Sequence, residues 1–323
     1  MNINYLLTSI ALIVLTSCGD VSSSLTTSSI NSSSASSTSS LPQTSDINES
    51  IFLNQVAYGL DPRQTLEIEY QPNDANPTPM VLFIHGGSWI SGDKSMMRRY
   101  QQQVVDAGYG YVSMNYRFIM TGATYLDMLD DIQLVIQFLK DFASDLNVDT
   151  TRMAMVGESA GAHLAMLYAY RNVSPIPIDF AMALVPPVDF TDPGYLSFGD
   201  PTVQLFLANG LMATSLIGPE DLVANGYPDA WMDASPIHHL STAIPTLIGY
   251  AGLDELIPLS NMEGFLMAAT AINAPIEAIF FPNSGHSLSN DPDKLSELLA
   301  TFFMYLNNFL PLMSQPQSIS IDI

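Results

Sequence analysis

Residues 152–170, RMAMVGESAGAHLAMLYAY, restrict the fold more than any other stretch of the 323-residue chain. "RMAMV" (152–156) reads as a strand buried on both faces, and "AHLAMLYAY" reads as a helix. Only Gly157-Glu158-Ser159-Ala160-Gly161 lies between them, so the chain must turn from strand to helix within one tight bend. A serine at such a bend stands out from the end of the sheet, over the amino terminus of the following helix. Glycine on either side is what a backbone needs where flanking side chains have no room.

The same alternation runs through the rest of the chain. "LEIEY" (66–70) alternates like a half-buried strand, and "MVLFI" (80–84) is continuously apolar. "GYVSMNY" (110–116), "FAMALV" (180–185), "TLIGY" (246–250) and "IEAIFF" (276–281) read as further strands. Between them, residues 124–143 place Leu126, Leu129, Ile132, Val135, Ile136 and Leu139 at helical spacing, and residues 293–310 behave likewise. Strands alternating with helices imply parallel pairing through right-handed crossovers. The expected fold class is therefore α/β: a doubly wound, mostly parallel sheet with helices on both faces and active residues on loops at the carboxyl ends of the strands. Residues 190–236 break the rhythm, with prolines, glycines and short apolar runs but no long period. An insertion of that length is either lid or substrate-pocket material or a plain surface excursion.

Composition divides the chain. Residues 51–312 form the expected folded domain, and residues 313–323 a flexible tail. Residues 22–40 contain fifteen Ser or Thr out of nineteen, without charge or aromatic ring, and cannot bury enough apolar surface to offset the entropy of ordering. They read as part of a flexible tether, 18–50. Residues 1–17 carry a short apolar run, Tyr5 to Leu15, that suits an export signal and is too short to span a bilayer. Leu15-Thr16-Ser17-Cys18 resembles the lipobox of bacterial lipoproteins, although no Lys or Arg precedes the apolar run. The resemblance implies cleavage before Cys18, lipidation of that residue, and a bacterial cell-envelope location facing the periplasm or the cell exterior. Cys18 is the only cysteine, so no disulfide can form within the chain. The net charge of −23 repels phosphate backbones, which argues against a nucleic-acid partner.

A serine hydroxyl needs a base to take its proton and an acid to orient that base. Two later segments supply both, each just after an expected strand. Ala251-Gly252-Leu253-Asp254-Glu255 follows "TLIGY", and Pro282-Asn283-Ser284-Gly285-His286 follows "IEAIFF". His286 is the expected base and Asp254 the expected acid, with Glu255 as the rival. The order Ser, Asp, His is the one found when the nucleophile sits at a strand-to-helix elbow. "MVLFI" runs directly into His85-Gly86-Gly87-Ser88-Trp89, whose glycines let backbone N–H groups turn toward a developing oxyanion. The N–H of Ala160 is the second expected donor.

These pieces, together with "VSMNYR" (112–117) and "ASPIHHL" (234–240), resemble the α/β-hydrolase esterases near the hormone-sensitive-lipase and acetyl/feruloyl esterase-like branch. The likeness spans about residues 80–290. It implies Ser159 as nucleophile, His286 as base, Asp254 as acid, and Gly86, Gly87, Ser88 and Ala160 around the oxyanion hole. Ser88 stands where a third glycine is common. Only about thirty residues separate the tether from "MVLFI", a short cap that suggests an open pocket. Trp89 and Glu158 are candidate pocket residues. His85 is expected to brace its loop. His163, His238 and His239 read as structural residues, with the last two able to line a pocket. The pair Asp130 and Asp131 reads as a solvated helix face plus one buried hydrogen-bonding partner, and Asp291 and Asp293 as ordinary acids near a helix start. No spacing suggests a metal site, and no cofactor is expected.

The function expected is serine carboxylic ester hydrolysis through an acyl-enzyme, on short-acyl esters that are small molecules or are linked to polysaccharide. The alternatives are arylformamidase or other amide chemistry, and a catalytically inactive ligand-binding lipoprotein. Oligomeric state is not legible.

Overall fold

The computed structural model describes residues 50–72, 76–171, 173–214 and 217–312. The signal segment, Cys18, the tether up to residue 49 and the tail 313–323 lie outside the described residues.

Eight strands form one sheet: β1 (Ile51–Ala57), β2 (Thr65–Tyr70), β3 (Thr78–Ile84), β4 (Gly110–Met114), β5 (Val148–Glu158), β6 (Ile178–Leu184), β7 (Thr246–Ala251) and β8 (Ile276–Phe281). Their spatial order is β1-β2-β4-β3-β5-β6-β7-β8. The β1–β2 and β2–β4 pairs are antiparallel, and the other five are parallel. The sequence-based expectation of a mostly parallel, doubly wound α/β sheet is correct.

The continuous apolar strands are explained by two cores, one on each face. In β3, Met80, Leu82 and Ile84 belong to one core, while Val81 and Phe83 belong to the other. Side chains alternate across a strand, so a strand covered on both faces has no polar side left. Helix α1 (Gln101–Asp106) packs on one face through Val104 and Val105. The opposite face carries α2 (Tyr125–Asp141) and α3 (Ala160–Arg171). Thr124 and Asp127 close a capping box at the start of α2.

One local expectation needs correction. Leu126 is 48% exposed, whereas Leu129, Ile132, Val135, Ile136 and Leu139 are buried. Each three-residue step falls about 60° short of a full turn, so the apolar face drifts and its first member comes round to solvent. Residues 190–236 are mostly helical: α4 (Pro193–Ser197), α5 (Pro201–Leu211), α6 (Pro219–Asn225) and α7 (Asp229–Asp233). Val203, Leu207, Leu211 and Trp231 bury into the core beside α3. The helices are short, so no long period was available to read. The chain closes with α8 (Leu259–Ala271) and α9 (Pro292–Phe309), the latter on the α1 face through Leu298, Phe302 and Leu306.

Candidate active site

The parallel register brings five strand ends level. Ile84 pairs with Gly157, Glu158 with Leu184, Leu184 with Gly249, and Ala251 with Phe281. The segments after β3, β5, β7 and β8 therefore emerge on one edge, and they are the segments carrying Gly86, Ser159, Asp254 and His286.

Ser159 sits one residue past β5 with φ 52°, and its N–H donates to Leu184 O at 2.8 Å. A non-glycine residue in this left-handed region costs about 1–3 kcal/mol, so the surroundings hold it there. The two flanking glycines are required by close backbone approach. A Cβ on Gly161 would lie 2.1 Å from Ile84 O, and one on Gly157 would lie 2.3 Å from Gly161 O. An alanine at either place would have to push backbone away, lifting α3 from β3 or from β5.

His286 Nδ1 lies 2.9 Å from both carboxylate oxygens of Asp254. A nitrogen facing a carboxylate in this way carries the proton, which leaves Nε2 with its lone pair. Nε2 is buried and has no hydrogen-bond partner among the described residues. The N–H groups of Leu256 and Ile257 both donate to Asp254 Oδ1 at 2.9 Å, fixing the carboxylate. Glu255, the rival acid, is engaged differently: it accepts the backbone N–H of His286 at 3.0 Å. That approach needs Gly285, where a Cβ would lie 2.5 Å from Glu255 Oε2. Asp291 is more than an acid near a helix start. It accepts from Asn283 N at 2.9 Å and from Ser284 Oγ at 2.7 Å, tying down the loop that carries His286.

The loop after β3 holds three consecutive residues at positive φ: Gly87 at 118°, Ser88 at 51° and Trp89 at 59°. Ile90 and Ser91 donate to Gly87 O, both at 3.0 Å. Among the described residues, the N–H groups of Gly87 and Ser88 donate to no acceptor within the protein. Gly86 is held close to the elbow, since a Cβ there would meet Ser159 Cβ at 3.2 Å. His85 braces this loop. Its Nδ1 contacts Gly86 O at 2.6 Å, its ring stacks on Tyr116, and Tyr116 OH donates to His85 O at 3.1 Å. Arg63 donates to Tyr116 O and Gly92 O and lies over the Phe118 ring. No spacing in the sequence pointed to Arg63, because it acts across 22 or more residues.

Of the other histidines, His163 is buried between Trp89 and Phe190, with Nε2 2.7 Å from Ala234 O. His239 Nε2 contacts Asp233 O at 2.8 Å. Asp131 is fully buried and accepts from Gln64 and Arg117, while Asp130 is exposed. No cluster of three His, Cys, Asp or Glu suited to a metal occurs among the described residues.

Burial pushes His85 and His163 down to about 4, so both are neutral at pH 7. The unfolded chain then binds more protons than the folded one between roughly pH 6.5 and pH 4. Stability is therefore full above that window and is lost as the pH falls through it, by on the order of 3 kcal/mol for each ring. The urea midpoint should fall steadily from pH 7 to pH 4. A midpoint flat to pH 4.5 would show that these rings are not held neutral by the fold.

Among the described residues, Ser159 borders two cavities. The larger, about 460 Å³, is lined by Gly86, Gly87, Glu158 and His286, with apolar walls that include Leu295 and Leu299 of α9. Glu158 accepts a hydrogen bond from Tyr100 OH and pairs with Arg99. The smaller, about 30 Å³, is lined by Ser88, Trp89, Ala160 and residues of α4 and α5. Trp89 borders the smaller cavity and is only 2% exposed, and the residues lining the larger one do not include it. Among the described residues, the insertion 190–236 contributes Tyr195, Gln204 and Leu207 to the smaller of these two cavities and none to the larger.

A mostly parallel eight-stranded sheet with a serine elbow after its central strand defines an α/β-hydrolase. The chain belongs to the BD-FAE family of α/β-hydrolase esterases, which it matches over residues 66–266. That match contains Ser159 and Asp254 and stops before His286. A probable isoprenylcysteine alpha-carbonyl methylesterase of Arabidopsis thaliana is 23% identical over 241 residues, covering 72% of this chain and 50% of that protein. The probable carboxylic ester hydrolase LipM of Mycobacterium tuberculosis is 26% identical, covering 62% of this chain and 47% of LipM. The chain thus spans about half the length of these curated relatives. Esterase B from Lactobacillus rhamnosis has the same fold, with a TM-score of 0.65 at 19% identity, covering 80% of this chain and 87% of that one.

Proposed function

We propose that the protein is a serine carboxylic ester hydrolase. The observation that carries this reading is the His286–Asp254 contact, 2.9 Å to both oxygens, in a cavity that His286 shares with Ser159. Ser159 Oγ attacks the ester carbonyl while His286 Nε2 takes its proton. The oxyanion forms among the N–H groups of Gly87, Ser88 and Ala160, each such donor stabilising the transition state by about 3–4 kcal/mol. His286 returns the proton to the leaving alcohol, leaving an acyl group on Ser159. Water then attacks, with His286 again as base. Short acyl chains suit the narrow space beside Ala160. Family membership supports ester over amide chemistry. The test compares p-nitrophenyl acetate with an N-formyl arylamine. Ester cleavage should dominate, and cleavage of the formamide alone would overturn the reading.

The proposal includes the setting. Cys18 carries lipid and residues 18–50 tether the domain to a bacterial envelope membrane, where it meets small-molecule or polymer-linked esters. The support is the position of the only cysteine directly after an export-type apolar run. Cys18→Ser should move the protein from the membrane to the soluble fraction. Equal membrane partition of both forms would contradict the anchor.

A further inference from the structure

The two cavities meet at Ser159, and His286 borders only the larger one. In ester cleavage the leaving oxygen must receive a proton from the base, so the alcohol has to lie on the side of His286. The acyl chain, fixed through its carbonyl carbon to Oγ, must then run the other way. On that side lies the 30 Å³ space next to the N–H of Ala160. Resting on the ester-hydrolase reading above, we infer that this space is the acyl subsite and that it is sized for acetyl. We infer also that the 460 Å³ cavity takes an apolar, aryl-sized alcohol.

The sizes decide the acyl group. Against about 460 Å³ on the His286 side, about 30 Å³ on this side favours the shortest acyl groups. The walls resist enlargement. Trp89 is 2% exposed, Tyr195 2% and Leu207 5%, and Trp89 and Tyr195 both pack on Phe190. A butyryl chain would have to displace one of them. On this account the insertion 190–236 works as the acyl gauge, through Tyr195, Gln204 and Leu207.

The chemistry of the walls decides the alcohol. Met96, Leu184, Val185, Leu256, Leu295 and Leu299 face the larger cavity. The polar groups there include Arg99 and Glu158, which are paired with each other, Tyr100, which donates to Glu158, and Gln103, Ser287 and Ser289. A bare sugar would set much of its surface against this hydrocarbon, each hydroxyl left unpaired there opposing binding. An aromatic or alkyl alcohol would lose water from both surfaces at once.

The atoms balance without a co-reactant other than water. The ester C–O bond breaks as the Ser159 Oγ–C bond forms, and the serine proton goes through His286 to the alcohol. Water then releases acetate and restores the serine hydroxyl.

The experiment uses the purified full chain with benzyl acetate, benzyl butyrate, benzyl hexanoate and a mono-acetylated methyl glucoside. The acetate should exceed the butyrate in kcat/KM by about tenfold or more, as expected when methylenes must enter a narrow space. Benzyl acetate should exceed the sugar acetate. Gln204→Ala and Leu207→Ala should each raise butyrate relative to acetate by roughly five- to tenfold. Gln204 is only half-buried, so its variant tests the gauge even if Leu207→Ala fails to fold. Equal or better cleavage of butyrate and hexanoate by the wild type would overturn the acyl assignment while leaving the esterase reading intact. So would an unchanged preference in both variants. Preference for the sugar acetate would overturn the alcohol assignment. Absence of cleavage of all four, together with no reaction of Ser159 with a fluorophosphonate, would instead sink the ester-hydrolase reading itself.

Discussion

Ser159→Ala is expected to lower kcat on short aryl esters by at least ~10,000-fold, with the far-ultraviolet spectrum and unfolding midpoint unchanged. The hydroxyl is the only group at the elbow that can carry the acyl chain. The turn itself is built by Gly157 and Gly161 and by the bond from Ser159 N–H to Leu184 O, none of which needs the side chain. Residual turnover would come from the N–H groups of the β3 loop, which still bind the oxyanion. A variant retaining a tenth of wild-type activity would remove Ser159 from the chemistry.

The second large effect separates two neighbouring acids. Asp254→Asn should reduce kcat by about 10,000-fold, because an amide no longer holds the Nδ1–H tautomer and Nε2 ceases to be the base. Glu255→Gln should cost less than about tenfold, since a Gln oxygen can still accept the His286 N–H. Both variants should fold, because the Leu256 and Ile257 N–H groups can donate to the Asn oxygen as they do to Asp254. If Glu255→Gln proved the more damaging, the acid role would belong to Glu255. The contact of both Asp254 carboxylate oxygens with His286 Nδ1 would then be structural.

Much of this was legible in the sequence because local physics and tertiary context agree there. A strand covered on both faces, such as Met80–Ile84, has to be apolar throughout, and a strand-to-helix turn as tight as Gly157–Gly161 has to be glycine-rich. Other features were hidden for definable reasons. β1 was missed because an edge strand with a register shift between Leu53 and Val56 shows no clean alternation. The helices of 190–236 were too short for periodicity, yet their starts were written in the chain. Asp192-Pro193 and Asp200-Pro201 are cap-and-proline pairs, and both aspartates accept a backbone N–H two residues on. Arg63 beside His85, Glu255 beneath His286 and Asp291 behind the 283–291 loop depend on long-range approach. Single-sequence patterns carry no record of such contacts. The split of the site into a narrow and a wide space belongs to the same class, because it arises where α5 and α9 meet the elbow from opposite sides.

The central claim is that Ser159 becomes acylated. The most direct measurement is mass spectrometry of the protein quenched during turnover of p-nitrophenyl acetate, followed by digestion and mapping of the 42 Da acetyl addition by its fragment ions. Acetyl on the peptide spanning residues 153–171, localised to Ser159 and absent from Ser159→Ala, is the predicted result. Steady ester turnover with Ser159 unmodified at every quench time, and undiminished in Ser159→Ala, would contradict the account.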